Sequence, residues 1–135
     1  MRLFIIIIII SLQSIGIQGA LAQLVLPKLR THPVHRLVVD RSGTRRLKLP
    51  AWRTPLTTVV FAGQLLTDPT EEEESLAEAS VSVVLDSEKG TLLMLDKAGG
   101  GALGLDIIDE CIARTRARIP DIAKALSSIT DSPTD

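Results

Sequence analysis

Aromatic side chains are almost missing from this sequence: one Trp, two Phe and no Tyr among 135 residues. A core built from it must be aliphatic. The scarcity also argues against modules that read single strands by stacking bases on exposed rings. Cysteine occurs once, at Cys111, which excludes an intramolecular disulfide and a multi-cysteine zinc centre. Histidine occurs only at His32 and His35. Catalytic zinc takes three protein ligands and structural zinc four, so this pair does not make a metal site. The formal net charge is −1, from 15 Lys+Arg and 16 Asp+Glu. The molecule as a whole is therefore no charge-driven nucleic-acid binder. The longest strictly apolar run, Leu3 to Ile10, is much shorter than the roughly 20 residues that cross a bilayer as a helix. What is present is ordinary for a globular chain: 45% hydrophobic and 23% charged residues, at a length that suits one domain.

The near-zero charge conceals a segregation. Residues 27–53 carry eight cations (Lys28, Arg30, Arg36, Arg41, Arg45, Arg46, Lys48 and Arg53) against Asp40 alone. Residues 66–90 carry eight acids (Asp68, Glu71, Glu72, Glu73, Glu74, Glu78, Asp86 and Glu88) against Lys89 alone. Such a chain can turn a basic face and an acidic face to different neighbours, or simply hold two solvated loop regions.

Two readings of the N-terminus stand side by side. Met1-Arg2, the isoleucine run and Ala20-Leu21-Ala22 before Gln23 follow the pattern of a secretory signal peptide, residues 1–22, with a mature chain from Gln23. Alternatively Ile17, Leu21, Leu24, Val25 and Leu29 follow helical spacing, which predicts a helix over 16–29 that Pro27 kinks or ends.

The rest of the chain predicts an α+β domain. Leu37-Val38-Val39 and the alternating Arg45 to Leu49 read as a hairpin, strands 36–40 and 45–49, turned at Asp40-Arg41-Ser42-Gly43. Residues 56–66 read as one strand bent or bulged at Gly63. Thr70 with Glu73 three residues on is capping-box spacing and predicts a helical turn over 70–76. Strands are expected at 79–86 and 91–97 around Ser87-Glu88-Lys89-Gly90. A long amphipathic helix is expected from 103 to 128, starting its apolar stripe at Leu105. It should pack Ile108, Cys111, Ile112, Ile119 and Leu126 on the sheet, with a kink or a break into two helices at Pro120. Residues 130–135 read as a tail.

Candidate chemistry is thin. Gly99-x-Gly101-x-x-Gly104 has the dinucleotide spacing, but no strand follows the helix, and Asp121, about 20 residues beyond the glycines, lies inside it. Cys111 falls on the apolar stripe and reads as a small hydrophobe. Glu71 to Glu74 are consecutive and point in different directions, whereas metal or acid–base sites need carboxylates that converge. No catalytic residue, metal ligand or cofactor is assigned.

Leu56 to Glu74, and above all Asp68-Pro69-Thr70-x-Glu72-Glu73-Glu74 directly after an apolar strand, resembles the second half of RNase PH-type domains. In that family a hairpin ending in glycines and a C-terminal helix follow, as here. The helix segment Asp109 to Arg118 looks most like the non-catalytic ring subunits of the eukaryotic RNA exosome, in the ribosomal RNA-processing branch of the forty-three type. The resemblance implies a partial RNase PH-like (ribosomal protein S5 domain 2-like) domain over 23–129, with a mixed or antiparallel sheet and a long C-terminal helix. A complete subunit of that family is about twice this long. The Asp-Pro-Thr-x-Glu-Glu form implies the branch without activity. Asp68, Pro69, Thr70, Glu72, Glu73 and Glu74 would then serve structure or an interface. The implied partners are other exosome ring subunits, with RNA reached through the assembled complex and no membrane. The implied role is RNA 3′-end processing and degradation, rRNA maturation included, in the nucleus, nucleolus and cytoplasm. A small secreted protein of unknown binding role is the alternative that the signal-peptide reading carries.

Overall fold

The computed structural model describes residues 5–34, 36–67 and 69–130. It opens with α1, Ile5–Gln23, followed by β1, Val25–His32, and β2, Arg36–Arg46. The helix expected over 16–29 therefore stops earlier. Leu24 N–H still reaches Leu21 O at 3.2 Å, but beyond it the chain is extended. Pro27 has no N–H to give a ladder, and it sits next to a register break, where proline is tolerated in strands.

That break also corrects the hairpin expected over 36–49. Pro27 pairs with Thr44 and Lys28 with Asp40, so Arg41, Ser42 and Gly43 are extra residues on β2. Asp40 Oδ1 accepts hydrogen bonds from Ser42 N–H at 2.9 Å and from Ser42 Oγ at 2.5 Å. The turn chemistry is real, but it folds a bulge inside one continuous strand. The chain reverses earlier, between His32 and Arg36, and β2 ends at Arg46, short of the expected 49. His35 lies outside the described residues.

The main sheet is antiparallel with strand order β4-β3-β5-β6. β3 is Arg53–Phe61 and β4 is Gln64–Thr67. The single strand expected over 56–66 is thus a hairpin. Ala62 (φ 48) and Gly63 (φ 73) both lie in the left-handed region, as a two-residue loop between right-twisted strands requires. A helical turn, α2, Glu71–Ser75, leads to β5, Ala79–Asp86, and β6, Leu92–Ala98. The β5–β6 turn closes as expected, with Gly90 at φ 65 and Asp86 Oδ1 accepting the N–H groups of Glu88 and Lys89, each at 3.0 Å.

The helix expected over 103–128 is two abutting helices, α3, Leu105–Ala117, and α4, Ile119–Thr130. Arg118 ends the first, and Pro120 falls in the first turn of the second, where its missing N–H costs nothing. The core forms where the helices cover the sheet. Val81, Val83, Leu85 and Cys111 are buried together, with Leu65, Leu103, Ile107, Ile112 and Ile119 packed around them. Ile122 and Leu126 are buried as well. Two positions of the expected stripe differ. Leu105 starts the helix and is exposed. Ile107, four residues before Cys111, packs on the core cluster in the place expected for Ile108; both are half-buried. The side chain of Ile129 is outside the described set.

Among the described residues Gln18 hydrogen-bonds α1 to the sheet. Gln18 Nε2 donates to Arg53 O at 3.0 Å, and Gln18 Oε1 accepts from Arg53 N–H at 2.5 Å. β4 pairs with β3 only over 58–61, so Gln18 supplies at Arg53 the bonds that a neighbouring strand would have made. Among the described residues no helix is long and apolar enough to cross a membrane.

Candidate functional site

The segment singled out in the sequence, Asp68 to Glu74, connects β4 to β5. These strands flank β3 on opposite sides, so the chain must cross the end of β3. Asp68 lies outside the described residues, and so does the side chain of Glu71. Pro69 is buried. Thr70 is extended (φ −67, ψ 164) and caps α2. Its Oγ1 accepts from Glu73 N–H at 3.3 Å, while Glu73 Oε2 accepts from Thr70 N–H at 2.8 Å. Both bonds of the capping box are therefore made. Glu72 is exposed, and Glu74 is turned in, with 3% of its surface accessible. Past the turn, Glu78 N–H donates to Val60 O at 2.8 Å and starts the β3–β5 ladder. One carboxylate bonds its own helix, one faces solvent and one faces inward. They do not converge on a common point, as an acid–base pair or an ion site would require. Among the described residues no three His, Cys, Asp or Glu side chains come together.

The glycine loop after β6 has the opposite polarity to a phosphate cradle. Gly99 (φ 72) and Gly100 (φ 47) adopt conformations that favour glycine, and a Cβ on Gly100 would collide with the carbonyl oxygen of Glu78. The carbonyls of Gly99, Gly100 and Gly101 converge on Lys97 Nζ at 2.5, 3.2 and 2.7 Å. A loop that presents carbonyl oxygens to a cation repels a phosphate, whereas dinucleotide loops present N–H groups. Cys111 is fully buried, and that burial pushes its thiol pKa up. It is therefore protonated and inert at neutral pH.

Three features escape a reading of the sequence alone. Arg114 pins α3 to the edge strand that leads into the motif. Its Nη1 donates to Leu65 O at 2.9 Å, and its Nε pairs with Glu110 Oε1 at 2.9 Å. Arg114 also borders an open cleft of 440 Å³ with Gly63, Gln64, Asp106 and Glu110, which holds no nucleophile beside a base. Gln18 is the second feature. The third is β6, an edge strand on which Leu92, Leu93, Met94 and Leu95 are each 40–48% exposed. Four consecutive exposed apolar residues on an edge strand are the kind of surface on which proteins recruit further chains. The run of apolar residues was visible, but its place at an edge was not.

The comparisons with known proteins agree with this geometry. Residues 55–118 match the model for domain 2 of the 3′ exoribonuclease family. The fold is that of solved exosome structures. An archaeal exosome core matches with a TM-score of 0.59 and 19% identity, over 83% of this chain and 40% of that one. The Archaeoglobus fulgidus exosome with RNA bound to the active site matches with a TM-score of 0.61 and 19% identity, over 78% and 38%. Rrp46 of rice (Oryza sativa) matches with a TM-score of 0.52 and 15% identity, over 61% and 38%. The chain thus spans about two fifths of the length of the solved chains it matches. The α+β architecture, the antiparallel sheet and the C-terminal helical segment all accord with the RNase PH-like expectation.

Proposed function

We propose that this chain is a non-catalytic structural element of an exosome-type ring, acting in RNA 3′-end processing and degradation, rRNA maturation included. The observation that carries the reading is the match of residues 55–118 to domain 2 of the 3′ exoribonuclease family, in a fold shared with exosome structures. The divergent acids of the Pro69–Glu74 turn support a structural role for the motif. The open apolar edge of β6 supports a surface joined to neighbouring subunits. Its partners are other RNase PH-type subunits, and RNA is reached through the assembled ring. A nuclear, nucleolar and cytoplasmic location follows from that role.

The bonds of Gln18 to Arg53 support a working chain that keeps α1. Cleavage before Gln23, as in the secretory alternative, would remove them. N-terminal sequencing of the protein from its source cells separates the two. Affinity purification of the tagged full chain tests the proposal. Other RNase PH-type subunits are expected among its partners, and their absence would sink it. Incubated with phosphate and single-stranded RNA, the purified chain is expected to release no nucleoside diphosphate. Clear phosphorolysis would overturn the non-catalytic assignment.

A further inference from the structure

The basic segment noted in the sequence becomes a two-faced ribbon in the structure, and the ring role leaves it unused. Along β1 and β2, alternate residues point to opposite faces. Register places Leu29 beside Val39 and Thr31 beside Leu37 on one face, where Leu29, Leu37 and Val39 are 49–62% exposed. On the other face Lys28 stands beside Asp40, Arg30 beside Val38 and Leu26 beside Arg45, with Arg36 two residues before Val38. Lys28, Arg30, Arg36 and Arg45 are exposed there. Asp40 is the single acid between residues 25 and 46, against six Lys/Arg; its carboxylate accepts from Ser42 and offsets part of the charge of Lys28 and Arg30, which leaves the face net basic.

We infer that the basic face of the β1–β2 ribbon binds the phosphodiester backbone of a single-stranded nucleic acid. Residues i and i+2 of a strand lie about 6.6 Å apart on one face, so Lys28 and Arg30 are neighbouring cations, with Arg36 and Arg45 towards opposite ends of the paired strand. A protein partner fits this face less well. Protein interfaces have a core poor in charge and anchored by apolar or aromatic side chains. Here the apolar members, Leu26 and Val38, are half-buried, and residues 25–46 hold no Phe, Tyr or Trp. The same stretch has no Asn or Gln, side chains that read base edges. Contacts made to phosphates carry no base sequence preference. The surface belongs to this chain itself and does not rest on membership of a ring.

The test is fluorescence anisotropy of labelled oligouridylate with the full chain, between about 50 and 200 mM KCl. Three to four phosphate contacts give a slope of log Kobs against log[KCl] of about −2 to −3. The triple variant Lys28→Gln, Arg30→Gln, Arg36→Gln is expected to bring that slope to between zero and about −0.7 and to weaken binding at least about tenfold. Arg30→Lys with Arg36→Lys keeps the charge and keeps binding, as does Leu29→Ser on the opposite face. As a measurement independent of any variant, RNA should protect Lys28 of the wild-type chain from acetylation while leaving Lys89 and Lys124 reactive. Binding by the triple variant at the wild-type level, unprotected Lys28, or polyglutamate competing as well as RNA at equal charge would each overturn the inference. Failure to recover ring subunits in a pull-down would leave it standing.

Discussion

Leu85 and Leu93 lie on adjacent strands of one sheet, and they should respond to substitution in opposite ways. Leu85 is fully buried in the cluster with Val81, Val83 and Cys111. Leu85→Ala removes its branched end and leaves a cavity that the packed helices close only in part. Such changes cost about 3–5 kcal/mol. For a domain of this size each kcal/mol moves the thermal midpoint by about 3–5 °C, so the variant should melt about 10–25 °C below the parent. Leu93 is 48% exposed on the edge strand. Leu93→Ala should cost at most about 1 kcal/mol, because about half of its surface is already in water. Leu93→Asp should leave the folded chain intact yet abolish its recovery with partner subunits. Thermal unfolding followed by circular dichroism reads the first effect, and co-purification reads the second. Equal melting of Leu85→Ala and Leu93→Ala would mean that the helix-covered face is not the core. Retained partner binding by Leu93→Asp would remove β6 from the interface.

Thr70→Ala deletes one half of the capping box and should destabilise the chain by about 1 kcal/mol in denaturant titrations, while Thr70→Ser restores most of it. Gly100→Ala places a methyl group against the Glu78 carbonyl in a conformation that L residues avoid, and its cost should exceed about 1 kcal/mol by the same measurement. Asp86 accepts the Lys89 and Glu88 N–H groups and the Arg53 guanidinium, and these hold its carboxyl below the usual range. Because the folded pKa is lowered, the stabilisation is complete above the unfolded value of about 3.9 and disappears as pH falls through the folded one. Asp86→Asn should flatten this acid limb of the stability–pH curve, which unfolding titrations below pH 5 would show.

Much of the sheet and helix pattern was legible because its signals were local. The capping box of Thr70 and Glu73, the period-two hairpin from Ala79 to Ala98 and the stop before Pro120 each need only a few neighbouring residues. The misreadings occurred where one local signal serves two structures. Asp40 to Gly43 makes the same Asx-type bonds whether the chain reverses or bulges, and only pairing with β1 decides between them. At Ala62-Gly63 the hairpin asks an alanine to take positive φ, a conformation sequence reasoning reserves for other residues. Leu24, Val25 and Leu29 continue the spacing of the helix that ends at Gln23, so local pattern alone extends it to 29. Of the candidate site, the motif was visible as a chain segment. Its job, carrying the chain across the end of β3, depends on a strand order that no local pattern contains. The edge position of β6 and the reach of Arg114 to Leu65 are likewise products of topology.

Native mass spectrometry of the assembly purified through this chain tests the ring proposal most directly. The account predicts a complex in which one copy of the chain accompanies several distinct RNase PH-type subunits. A chain that flies alone, or only with copies of itself, would contradict it.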